Sequence, residues 1–128
     1  MSLGSLRGLV PIVRVEDVAR SIEFYRRLGF VMRNKLESEG RLVWAWLDSG
    51  KAYLMVSRSP GPMTAGGVRD VILYLYAADL VAYRNHLAAD GIKVGPIEYP
   101  SYMPKGEFGI EDPDRYSVLV GQTDEVSF

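Results

Sequence analysis

Cysteine is absent from the 128 residues and histidine occurs once, at His86. The first absence excludes disulfides, thiolate nucleophiles and sulfur-anchored metal sites together. The second leaves a single imidazole with no partner for a metal site or a nucleophilic triad, so a surface histidine is the plain reading. Long hydrophobic runs are also missing. No apolar stretch approaches the roughly 20 residues that cross a bilayer, and the opening MSLGSLRGLVPIV lacks the apolar core of a secretory signal. A cytoplasmic location with no membrane partner is the expectation. Charge of one sign is lacking too: 15 Lys and Arg face 16 Asp and Glu, and the arginines are scattered. That argues against nucleic acid as a partner. What remains is 48% apolar and 24% charged, the balance of a soluble domain, and its length suits one self-sufficient core over 1–128.

The organisation is a repeat. GLVPIVRV has the pattern of a strand and DVARSIEFYRRLG that of a helix, with Asp17 as N-cap, an apolar stripe at Ile22, Tyr25 and Leu28, and Gly29 as the stop. Three strands are predicted next: FVMRNKLES, then RLVWAWLD after a turn at Glu39-Gly40, then KAYLMVSR after Asp48-Ser49-Gly50. SPGPMTAGGV, residues 59–68, is a Gly/Pro-rich linker. The order then recurs as DVILYLYA, a helix capped by Asp79 and stopped by Gly91, the strand IKVGPIEYP, and a closing hairpin of KGEFGIED with RYSVLVGQ. Asp17 and Gly29 lie 62 positions before Asp79 and Gly91, and an offset of 64 in the hairpins pairs Trp44 with Phe108, Asp48 with Asp112 and Met55 with Leu119.

The expected fold is therefore α+β. Two pseudo-symmetric βαβββ modules, about 7–58 and about 69–121, form a curved mixed sheet around a cavity with the helices on the outer face. Each half leaves sheet edges and apolar surface to be closed within the chain or between chains. A homodimer is expected on that ground.

VRVEDVARSIEFYRRLGF and IEDPDRYSVLV resemble the first strand and helix and the final Asp-Pro-Asp hairpin of the vicinal oxygen chelate superfamily. That superfamily includes glyoxalases, extradiol dioxygenases and the bleomycin and fosfomycin resistance proteins, and with the repeat the resemblance spans residues 9–121. It implies the paired-module fold, and in metal-dependent members it implies ligands on the cavity-facing strands. Carried over, those positions are Val10, Met55, Ile72 and Leu119, three hydrocarbons and a thioether that cannot hold a hard or borderline cation. Neither a metal nor another cofactor is expected. The resembled turn ends in Gly, whereas this chain has Arg115, where a left-handed backbone would cost about 1–2 kcal/mol.

Strand parity selects candidate ligand-binding residues. Val43, Ala45 and Leu47 alternate with Trp44 and Trp46, so the small face suits the helix and the indoles point toward the concave side. The same argument places Ile12, Arg14, Tyr53, Met55, Tyr74 and Leu119 there, with Phe108 as the counterpart of Trp44. Simple core filling competes with this reading for the tryptophans, and a solvated rim position competes for Arg14. The aromatic loop EYPSYMPKGEF brings Tyr102 to the cavity mouth as a lid or a subunit contact. Glu107 and Lys105 are candidate acid and base without a paired nucleophile. No catalytic residue is assigned.

Three functional readings remain. The first is a metal-free protein of the bleomycin-resistance type that sequesters an organic or aromatic ligand in an apolar cleft. The second is a lyase or isomerase of the same fold using non-metal acid and base groups. The third is a structural dimer with a filled cavity.

Overall fold

The structure of the chain, a computed structural model, describes residues 4–63 and 69–125. Of the expected linker, residues 64–68 lie outside the described residues. The elements are β1 (Ile12–Val15), α1 (Val18–Arg27), β2 (Val31–Ser38), β3 (Arg41–Ser49), β4 (Ala52–Arg58), β5 (Ile72–Ala77), α2 (Leu80–Ala89), β6 (Glu107–Glu111) and β7 (Ser117–Gln122). They form two sheets, one of order β1-β4-β3-β2 and one of order β5-β7-β6. The first strand of each half runs parallel to the last, and the hairpins are antiparallel.

Local chemistry accounts for the boundaries. The Asp17 and Asp79 carboxylates accept from the amides of Arg20 and Ala82, satisfying donors that the first helical turn leaves free; such caps are worth about 1 kcal/mol each. Gly29 and Gly91, at φ 107° and 85°, let the chain leave each helix. Glu39 and Gly40 both have positive φ, the requirement of a two-residue hairpin turn whose twist matches its strands.

Alternation then builds the core. Val13 and Val15, Ala45 and Leu47, and Leu54 and Val56 are buried on the helix side of the first sheet with Val18, Tyr25 and Leu28 of α1. Val118 and Val120 of β7, Phe108 and Ile110 of β6, and Leu80 and Leu87 of α2 do the same in the second half.

Two expectations need correction. IKVGPIEYP does not form a regular strand: only an isolated bridge from Glu98 to Glu107 and a bond from the Gly95 amide to the Gly109 carbonyl tie it to β6. Pro96 has no amide to donate between those two contacts, and an added Cβ at Gly95 would make a tight 3.1 Å contact with the Gly109 carbonyl oxygen. The second correction is register. Asp48 stands opposite Tyr53, five positions on, whereas Glu111 stands opposite Ser117, six positions on. One extra residue in the second turn therefore gives β3 and β6 an offset of 63, although Met55 and Leu119 keep 64. Trp44 corresponds to Glu107 and Trp46 to Gly109, not to Phe108 and Ile110, because a one-residue slip exchanges the faces of a strand.

Candidate functional site

The face of the first sheet turned away from α1 is an aromatic wall. Trp44 and Trp46 are half-buried while Ala45 and Leu47 between and beyond them are fully buried. The Trp46 ring lies 5.8 Å from that of Tyr53, and the Trp44 indole N–H donates to the Met55 thioether at 3.4 Å. Cross-strand pairing puts Met55 between Trp46 and Ile12, and Ser57 between Trp44 and Arg14. The Trp46 indole N–H donates to Asp48 at 3.2 Å, and Arg33 pairs with the same carboxylate, so one end of the wall is held by charge. Arg14 is exposed at the strand end, its guanidinium 3.5 Å from the Arg58 carbonyl.

The corresponding face of the second sheet is more polar. The rings of Tyr74 and Tyr76 pack at a tilt of 44° with centroids 5.0 Å apart, and Leu119 stands opposite Tyr74. Where the first sheet has Trp44, this one has Glu107, which is only 8% exposed. Its two carboxylate oxygens each accept a hydroxyl at 3.0 Å, one from Tyr74 and one from Tyr102. Burial, followed by the bond to Glu107, pushes the Tyr74 hydroxyl well above the ordinary phenol value, and the same bond raises Tyr102. Gly121 lies beneath this group, and an added Cβ there would sit 2.7 Å from the Tyr74 hydroxyl and 2.8 Å from the Met103 methyl, so one of those side chains would have to move.

Among the residues expected at the site, the structure brings some together. Tyr53 and Tyr74 line one cavity of about 320 Å³ between the halves, with Pro11 and Ile72. Tyr102 joins Tyr74 through Glu107. Trp44 lines a separate hollow with Leu36, Ser57 and Arg58, and Leu119 a third with Phe24, Gly95 and Gly109. Phe108 is not at this face: it is 1% exposed, in the core, with its ring 6.4 Å from that of Tyr83 on α2. Ile12, Tyr53, Ile72 and Tyr76 are 56%, 44%, 58% and 49% exposed, so within one chain both faces are open. The tyrosine pair around Glu107 escaped the sequence reading because Tyr74 lies on another strand. No local pattern marks it, because the alignment of Glu107 with Trp44 shows only once β6 is paired with β7.

Val10, Met55, Ile72 and Leu119 offer hydrocarbon and one thioether to any ion. Among the described residues no group of three or more His, Cys, Asp or Glu converges. These positions do not fit a divalent metal. His86 is exposed on α2, and no helix among the described residues is long and apolar enough to cross a membrane.

Solved structures share this architecture. TioX from Micromonospora sp. ML1 superposes with a TM-score of 0.75 at 21% identity, over 93% of this chain and 98% of that one. A bleomycin-binding protein complexed with bleomycin gives 0.73 at 19%, over 93% and 100%. TnmS3, an antibiotic binding protein from Streptomyces sp. CB03234, gives 0.71 at 20%, over 97% and 99%. No curated protein sequence matches. The model of the Glyoxalase/Bleomycin resistance protein/Dioxygenase superfamily matches residues 8–120, and with the paired βαβ-type halves and the Asp-Pro-Asp turn in place, the chain belongs to that superfamily.

Proposed function

We propose that the chain is a metal-free small-molecule-binding protein, cytoplasmic and homodimeric, that sequesters an organic, preferably aromatic ligand in a cleft without altering it. The single domain acts as two modules, about 7–58 and about 69–121. Ile12, Arg14, Trp44, Trp46, Tyr53 and Met55 supply the ligand-binding surface of the first sheet, and Tyr74, Tyr102 and Leu119 that of the second. The observation that carries this reading is the wall of two half-exposed indoles beside Tyr53 and Met55, with few polar groups among them. The bleomycin-binding and antibiotic-binding proteins of the same fold support it.

A ligand found by thermal shift should quench tryptophan fluorescence, and binding should persist in excess chelator. Trp44→Ala or Trp46→Ala should weaken binding by about tenfold or more, since 1.4 kcal/mol is one decade, while His86→Ala leaves affinity unchanged. If both tryptophan variants stay folded and bind like the parent, the aromatic wall is not the site.

A second reading, a lyase or isomerase of the same fold, is favoured by one feature, the buried Glu107 carboxylate held by two phenols. Turnover of a bound compound that Glu107→Gln abolishes without loss of affinity distinguishes it from sequestration.

A further inference from the structure

Where the two halves meet beside β5, a pseudo-symmetric contact is filled at one end and open at the other. At the filled end, the turn at 112–116 inserts beneath α1. Asp114 accepts from the Glu16 amide at 3.0 Å, the Arg20 guanidinium at 3.2 Å and the Ser21 hydroxyl at 3.4 Å. Asp112 accepts from the Tyr25 hydroxyl at 2.8 Å, and the Tyr116 hydroxyl donates to the Arg14 carbonyl at 2.7 Å.

The offset of 62 that relates the helices carries Glu16, Arg20 and Ser21 onto Ala78, Ala82 and Tyr83. The turn that corresponds to 112–116 is one residue shorter and holds Gly50 and Lys51 in place of the aspartates. With Ala78 and Ala82 in place of Glu16 and Arg20, and a shorter turn in place of the one that carries the aspartates, the space beneath α2 remains open. It is a cavity of about 730 Å³, lined by Leu28, Phe30, Ala52, Leu75, Ala82 and Val120 among others. That volume lies within the range of small-molecule sites. The Tyr83 hydroxyl at its edge is committed to the Leu28 carbonyl, and burial pushes its pKa up to about 12. The charged lining residues are Lys51 and Asp79, of opposite sign, and the Asp79 carboxylate is engaged by the Ala82 amide.

We infer that this cavity, which shares Tyr74 with the second sheet's side of the proposed cleft but none of the indole wall, is a second ligand site for a compact uncharged molecule with an aromatic or alicyclic ring. The hydrocarbon lining supplies the attraction. The balanced charge at the rim gives no preference for an anion or a cation.

Indole is a suitable probe. In a methyl-resolved NMR titration of the full chain, the shifts expected to move are those of Leu28, Leu75, Ala82 and Val120. Ala82→Leu, which fills the cavity from an exposed helical position, should weaken that response at least tenfold. Ala52→Leu fills it from the opposite wall and serves should the first variant misfold. His86→Ala, elsewhere on α2, should leave it unchanged. Shifts confined to Ile12, Met55 and Leu119, no shifts up to the solubility of indole, or an undiminished response in a folded Ala82→Leu or Ala52→Leu protein would each overturn the inference.

Discussion

Arg115 holds a backbone conformation that glycine adopts freely, with φ 71°. The turn keeps it there because Asp112 Oδ1 accepts the amides of Asp114 and Tyr116, while the Arg115 amide reaches the Asp112 carbonyl. The left-handed geometry implied by the family turn is thus retained without its glycine. Arg115→Gly relieves about 1–2 kcal/mol of strain and costs roughly 0.4–1 kcal/mol in unfolded-chain entropy. A net gain of up to about 1.6 kcal/mol in urea unfolding is expected, and a loss would show the strain to be absent. Asp112 itself carries a pH signature. Burial raises its carboxyl above the ordinary value, outweighing the bonds from Tyr25, Tyr116 and Asp114 that favour the anion. Between the unfolded and folded pKa the native state therefore holds the extra proton. The contribution is fully present below about pH 4 and is lost as pH rises through the folded value. Relative to Asp112→Asn, the parent should lose stability as pH rises from the ordinary carboxylate range through the higher folded value. A difference that is flat or grows in the parent's favour contradicts the assignment.

Among the elements, the segments with strong periodicity and capping chemistry were legible in the sequence. Both helices begin at Asp17 and Asp79 and end before Gly29 and Gly91, and the parity that buries Ala45 and Leu47 leaves Trp44 and Trp46 half-exposed. The failures share one cause: strand character in the second half depends on partners rather than on local pattern. Residues 92–100 alternate acceptably, yet Pro96, with no amide to donate, interrupts the ladder between the Gly95 and Glu98 contacts with β6. Phe108 was misplaced because the extra turn residue, and so the face of β6, shows only once the strands are paired. The segment that replaces the missing strand has its own fastening. Met103 and Gly106 donate to Pro100 and Met103 within the loop, and Tyr102 ties it to Glu107. Tyr102→Phe should speed hydrogen exchange at the Met103 and Gly106 amides and leave Val118 in β7 unaffected. Equal rates in both proteins would mean that the loop is held by its turns alone.

At the scale of the whole molecule, the two sheets have faces of unequal chemistry, one aromatic and one polar around Glu107, and each is open in a single chain. β2 adds a long edge on which every residue is exposed, but it is protected by register irregularities between Met32 and Asn34 and between Leu36 and Glu37, with Arg33, Lys35 and Glu37 interspersed. Open apolar faces with a guarded edge favour pairing face to face over strand addition. Light scattering at micromolar concentration should give twice the chain mass, and the monomer mass would exclude the proposed dimer. The extra residue between Glu111 and Ser117 has a consequence for how the gene tolerates change. Surface turns normally absorb insertions and deletions at little cost. Losing one codon here would instead turn β6 inside out against β7, presenting Phe108 and Ile110 to the solvent while driving Glu107 and Glu111 beneath α2. The length of this turn is thus as constrained as the identity of a core residue, and single-codon deletions within 112–116 should be among the least tolerated in the chain.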